Sequence, residues 1–207
     1  VNRGPDVDAW YAGQDDPFGV GTRWYERRKR TVALAALTRE RYARAWDAAS
    51  GTGHLAADLL DRCDEVVASD AAARAVELST AALARAGYRA RATRCVLPDR
   101  PVAAVGCDLV VLSEVLYYLD DATRGALPAV LEAAVHGVPR AEVLAVTWRH
   151  HPGDAHLSGT AAQAELDTGL RTAGWRHRVG HREEDFVLDS WTRTASSPTA
   201  HDAPEET

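Results

Sequence analysis

One stretch constrains this chain more than any other: Ala43-Arg44-Ala45-Trp46-Asp47-Ala48-Ala49-Ser50-Gly51-Thr52-Gly53-His54-Leu55. It reads as a short buried strand, a turn of small residues and the start of a helix. Glycines permit the tight turn and let a ligand approach the backbone. The helix that follows offers free N–H groups to that ligand. The next strand, Glu65-Val66-Val67-Ala68-Ser69, ends in Asp70, 17 positions after Gly53. That is close to the ~20-residue spacing of a nucleoside-binding βαβ unit. Asp70 is then placed to accept hydrogen bonds from ribose hydroxyls. An ordinary strand-turn-helix corner is the competing reading of the loop by itself, and the acidic strand end speaks against it.

The rest of the composition narrows the class. The chain has 207 residues, enough for one domain with a real core, and 46% of them are hydrophobic. No apolar run approaches the ~20 residues of a membrane span, and the first residues do not read as a secretory signal. The expectation is a cytoplasmic protein with no membrane partner. The net charge of −6 offers no global field for nucleic acid. Arg27-Arg28-Lys29-Arg30 is a local basic cluster, expected to be the solvated face of a helix. Lys29 is the only lysine and there is no methionine, both of which read as coding bias. Cys63, Cys95 and Cys107 lack the paired spacing of a metal site and read as small hydrophobes, so no metal is expected.

Along the chain, residues 1–22 are polar and glycine-rich and predict a mobile entry segment. Apolar positions at Val32, Leu34, Ala35, Ala36 and Leu37 predict a helix in the second half of 22–37. Trp24 and Tyr25 lie upstream, where aromatics can cover a neighbouring pocket. Strands are expected at 43–48, 65–69, 88–93 and 109–112, with helices at 53–62 and 71–86 between them. The run Leu109-Val110-Val111-Leu112 has the character of a central parallel strand. It ends in Ser113-Glu114, on the same rim as the 49–53 loop and Asp70. Asp120 caps a helix to about His136, with Pro128 expected to restart it. A fifth strand, 143–148, ends in Arg149-His150-His151, and a helix follows at 160–173. Closely joined strands at 175–182 and 185–193 imply an antiparallel pair. Residues 1–194 then form one domain, with 1–40 as an N-terminal lid segment and helix, and 195–207 a disordered tail.

This order resembles the class I S-adenosylmethionine-dependent methyltransferases: a Rossmann-like α/β sheet, mostly parallel with an antiparallel C-terminal strand pair and helices on both faces. Within that class it is most similar to the nodulation protein S-like branch. Four stretches carry the resemblance: Asp16-Pro17-Phe18-Gly19 with 23–30, the loop 47–53, Asp108–Leu119, and His181-Arg182-Glu183-Glu184-Asp185-Phe186. The resemblance implies S-adenosylmethionine as methyl donor and N-methylation of an amine, an amino sugar in the namesake. In the family's acidic-x-Gly-x-Gly-x-Gly loop, this chain has Ala49 at the first glycine, a residue expected to demand φ < 0. Val96, after Cys95, stands where family members often carry an adenine-binding Asp. Arg140-Ala141 replaces Gly-Gly before strand five.

The resulting candidates divide by role. For the cofactor they are Asp47, Ala49, Gly51, Gly53, Asp70, Val96, Ser113 and Trp24. For catalysis they are Glu114 as base or acceptor-orienting group, His150 as base, and Tyr117 lining the acceptor site. The acceptor is expected to be a small molecule, an amine or amino sugar. The alternative reading is a degenerate fold-mate serving as a non-catalytic partner or regulatory subunit, motivated by Ala49, Val96 and Arg140-Ala141. A nucleotide-linked oxidoreductase is a third, opposed by the antiparallel strand pair.

Overall fold

The computed structural model describes residues 5–194. Seven strands form one sheet in the order β3-β2-β1-β4-β5-β7-β6. They are β1 (Tyr42–Ala48), β2 (Cys63–Asp70), β3 (Ala90–Arg94), β4 (Leu109–Ser113), β5 (Arg140–Trp148), β6 (Arg176–Arg182) and β7 (Phe186–Thr194). The first five pair in parallel. β7 inserts antiparallel between β5 and β6. The chain therefore departs from the centre of the sheet in both directions, with β1 and β4 side by side. Ligands in open α/β sheets bind at such a switch point, outside the carboxyl ends of the strands.

Strand side chains alternate between faces, and the core divides accordingly. Ala45, Val66, Ala68, Leu109, Val111, Leu144 and Val146 pack on one face with Ala33, Leu55 and Leu59. These last belong to helices α2 (Trp24–Ala35) and α3 (His54–Leu59). Trp46, Ala48, Val110, Leu112, Val143 and Ala145 pack on the other with Leu127, Leu131, Leu166 and Leu170. These come from α5 (Asp121–Ala134) and α6 (Gly159–Thr172), capped by Asp120 and Ser158. Between them in sequence, α4 (Ala73–Leu83) follows β2.

Pro128 does not restart α5 but lies inside one continuous helix. A proline there costs about 3 kcal/mol. Fully buried leucines on the same helix, Leu127 and Leu131, each return about 1.5–3 kcal/mol, so packing outweighs the break. The ring also rests on α6 at Gly169, where a Cβ would come within 2.7 Å of it.

The entry segment, expected to be mobile, carries local structure over the described residues. Val7–Trp10 forms a short helix, α1, capped by Asp6. Asp8 accepts from Ala73 N–H at 2.9 Å, and Asp15 pairs with Arg74 at 2.7 Å. Asp16 accepts from the N–H groups of Val20 and Gly21 at 2.7 and 3.0 Å. The Asp16 contacts form a local turn, the Asp8 and Asp15 contacts reach α4, and composition reveals neither. The expected tail, 195–207, lies outside the described residues.

Candidate active site

A cleft of about 980 Å³ opens at the carboxyl ends of β1, β2 and β4. That is the upper end of the ~300–1,000 Å³ range of ligand sites, room for more than one small molecule. Of the residues singled out from sequence, Asp47, Ala49, Gly51, Asp70, Val96, Ser113, Glu114 and Tyr117 all line it.

The loop after β1 alternates into the left-handed region at Ala49 (φ 68°), Gly51 (φ 54°) and Gly53 (φ 78°). Ala49 thus adopts the glycine conformation it was expected to refuse. The cost is about 1–2 kcal/mol, held in place by the neighbouring bonds. Ser50 N–H donates to Ser69 carbonyl at 2.9 Å, Gly51 N–H to Asp70 Oδ2 at 2.8 Å, and Gly53 N–H to Ser50 carbonyl at 2.9 Å. Gly53 does not line the cleft. A Cβ there would meet Ser79 Cα at 2.7 Å, so its smallness serves the packing of the loop on α4.

Two carboxylates face this loop. Asp70 accepts from Gly51 and Ala72 N–H, at 2.8 and 2.9 Å. A carboxylate offers about four acceptor positions, so two remain for a ligand's hydroxyls. Burial raises its pKa, and the backbone N–H groups oppose that rise. Asp47 is 1% exposed, and neither of its oxygens has a hydrogen-bond partner. Burial, with the charge of Asp70 second, pushes its pKa up to about 7, while the nearby Ala56 N–H pulls it down in part. A buried, unmatched carboxylate on a ligand cleft calls for a cationic group from the ligand. A ribose diol at Asp70 and an α-ammonium at Asp47 are what an adenosyl amino-acid cofactor presents. The residues present therefore fit S-adenosylmethionine.

The other half of the cleft is built on a network that sequence reasoning did not find. Lys29, expected on a solvated face, is 3% exposed. Its Nζ pairs with Glu26 at 2.9 Å and with Glu114, and lies 5.0 Å from the Tyr25 ring centre. Burial opposes its charge, but Glu114 and Glu26 outweigh burial and raise its pKa. Glu114 also accepts from Tyr117 Oη and from Trp148 N–H, at 2.9 Å to the nearer oxygen. It sits at φ 56°, a conformation rare for a glutamate, with its N–H on Val146 carbonyl at 2.9 Å. Lys29, Tyr117 and Trp148 hold the Glu114 carboxylate in place and take three of its about four acceptor positions. Burial and Glu114 together raise the Tyr117 pKa. Of the other basic residues of the cluster, Arg28 pairs with Glu183 and Arg30 with Asp58, while Arg27 donates to the Thr22 carbonyl.

Two further candidates lie elsewhere. Trp24 is 69% exposed and does not line the cleft; its neighbour Tyr25 does. One residue along a helix turns a side chain by about 100°, which decides between them. His150 also lies outside, tilted against Trp148 and 3.8 Å from Asp185, while His156 from the same loop lines the cleft. Arg140 and Ala141 begin β5, at the end of the sheet away from the cleft. Among the described residues no cluster of metal-ligating side chains is present, and no helix is long and apolar enough to cross a membrane.

Comparison with known proteins agrees with this geometry. The profile of the methyltransferase domain matches residues 45–137. A solved structure assigned as a methyltransferase from Pseudomonas syringae is 38% identical, covering 83% of this chain and 100% of its own, with a TM-score of 0.69. The N-methyltransferase NodS from Bradyrhizobium japonicum, solved with S-adenosyl-L-homocysteine, is 17% identical over 92% of this chain and 97% of its own, with a TM-score of 0.73. An S-adenosylmethionine-dependent methyltransferase from Mesorhizobium loti is 14% identical over 79% and 96%, with a TM-score of 0.64. No curated protein matches in sequence. The cleft at the switch point, the carboxylates suited to an adenosyl cofactor and the 38% relative agree: this chain belongs to the class I S-adenosylmethionine-dependent methyltransferases.

Proposed function

We propose that the chain N-methylates an amino group on a small molecule, an amino sugar being one member of that class. The observation that carries this reading is the charge of the cleft. Glu26, Asp47, Asp70, Glu114, Asp120 and Asp185 line it, against Arg23, Lys29 and Arg30. Two of those cations are already paired, Lys29 with Glu26 and Glu114 and Arg30 with Asp58. A negative, partly desolvated cleft favours a cationic donor and an amine acceptor over an acidic one.

In this reading Asp70 holds the ribose hydroxyls, Asp47 the α-ammonium, and the 49–52 backbone the body of the cofactor. Val96, on the loop after β3, would contact the adenine, and Ser113 and Tyr117, which line the same cleft, would flank the transferred methyl group. The cofactor, when bound, supplies a methyl group on a sulfonium for in-line displacement. Glu114, held in place by Lys29, Tyr117 and Trp148, orients the acceptor amine and stabilises its positive charge. The amine gives up its proton to water before transfer, and His156 also lines the cleft. The N-terminal segment acts as a lid, since Tyr11, Trp10 and Phe18 line the same cleft.

Calorimetric titration of S-adenosylmethionine and S-adenosylhomocysteine into wild type and Asp70→Ala tests this reading. Micromolar binding is expected, weakened by about 100-fold in the variant, since two charge-assisted hydrogen bonds are lost. Methyl transfer is then expected to amines and not to matched alcohols or carboxylates. Absence of cofactor binding to wild type overturns the reading.

A further inference from the structure

A buried polar atom with no partner marks a place where a ligand supplies one. Among the described residues, the side chains on the cleft with such atoms are Asp47 and Tyr25. They stand in its two halves. Asp47 is at the end of β1, beside the cofactor loop. Tyr25 is on α2, beside Glu26, Lys29 and Glu114.

We infer that the half around Tyr25 is the acceptor subsite, and that it selects an amphipathic monoamine that binds as its ammonium and gives one proton to water before transfer, with Tyr25 Oη accepting a hydrogen bond from the nitrogen. The inference deepens the methyltransferase reading above and rests on it.

Charge, hydrogen bonding and shape each support this assignment. Glu26 and Glu114 share the single cation of Lys29, and Asp185 adds a further carboxylate to the lining. Glu183, also close, is engaged by Arg28 and His181. The subsite is therefore negative and favours one added positive charge. It already seats one ammonium, that of Lys29, between two carboxylates and the face of the Tyr25 ring. Burial first, and then Glu114, Glu26, Asp185 and Glu183, raise the Tyr25 pKa. The hydroxyl stays protonated and neutral, with its lone pairs free to accept. Of the other cations on the cleft, Arg30 gives its guanidinium to Asp58 and Val20 carbonyl, and Arg23 stands on the exposed rim.

The mouth supplies the apolar part. Trp10 packs at a tilt against Tyr118 at 4.8 Å and meets Phe18 edge-on at 5.5 Å, and Leu119 also lines the cleft. An acceptor with an aromatic or alkyl body fits this wall, and a cation gains further from the ring faces.

The test uses protein loaded with S-adenosylhomocysteine and three matched probes: benzylamine, benzyl alcohol and benzoate, titrated calorimetrically. Benzylamine is expected to bind in the millimolar range or tighter, benzyl alcohol about tenfold more weakly, and benzoate without measurable heat. Tyr25→Phe is expected to weaken benzylamine by about tenfold, the loss of one hydrogen bond to a charged group, and to leave S-adenosylhomocysteine affinity unchanged. Unchanged cofactor affinity also shows that the variant is folded. No benzylamine binding, equal affinity for the three probes, a preference for benzoate, or an unaffected Tyr25→Phe each overturns the inference. Failure of S-adenosylhomocysteine to bind wild type is a separate outcome, seen before any probe is added, and overturns the methyltransferase reading itself.

Discussion

Burying a carboxylate with neither oxygen matched costs free energy, and Asp47 is buried that way at the end of β1. Its folded-state pKa of about 7 lies well above the ~3.9 of an unfolded aspartate. The sign follows. The protonated form is favoured in the folded chain, so its contribution to stability is present below about pH 4 and is lost as pH rises to about 7. A cofactor α-ammonium reverses this preference by favouring the carboxylate. Cofactor affinity should therefore fall as pH drops below about 7, by up to about tenfold per unit. Asp47→Asn should raise the melting temperature of the free protein at pH 8, weaken S-adenosylhomocysteine binding there, and flatten the pH dependence of binding. Identical pH profiles for variant and wild type in calorimetry would remove Asp47 from the cofactor site.

At the scale of elements, α2 is fastened to the sheet by an ion pair spanning 85 residues, Lys29 to Glu114. Removing one partner of a buried pair leaves an uncompensated charge and costs about 3–5 kcal/mol. Lys29→Met is expected to lower the melting temperature by roughly 6–20 °C, measured by calorimetry. A fall under about 3 °C would show that the pair does not hold α2 in place. This element also marks the limit of reading by pattern. Strands β1, β2 and β4 and the loop between 48 and 54 are legible because their apolar runs and small residues are local signals. Asp70 is legible because it stands at a fixed distance from that loop. The burial of Lys29 is not, since both its surroundings and Glu114 arrive from distant parts of the chain. Two local hints existed: a lone lysine among arginines, and Glu26 three residues before it on one helix face. The exchange of Trp24 for Tyr25, and of His150 for His156, has a similar origin. Composition identifies the segment, while helix phase and loop path choose the side chain.

At the scale of the whole molecule, the sheet's reversal between β1 and β4 sets the position of the cleft, and the N-terminal segment gives it a wall. A mostly parallel sheet with an antiparallel C-terminal pair was legible, because four βα units and a closely joined strand pair leave few topologies. The conformation of 5–22 was not, because its contacts, single hydrogen bonds and ion pairs such as Asp8 to Ala73 and Asp15 to Arg74 and a small apolar cluster of Tyr11 with Ala72 and Ala75, are few and reach distant parts of the chain. A segment held by such contacts opens at low free-energy cost. Hydrogen exchange across residues 15–30 should therefore slow on addition of S-adenosylhomocysteine. Unchanged exchange there would mean that the segment does not act as a lid.

The burial of Lys29 has a practical corollary. Acylating reagents and reductive alkylation act on accessible side-chain amines, and this sequence contains one lysine, shielded behind Glu26, Glu114 and Tyr25. In the folded protein that amine is sequestered, so the rate at which it becomes labelled measures how often α2 lifts from the sheet. The chain thus carries a single-site clock for the opening of its own cleft, readable by mass spectrometry without an introduced probe.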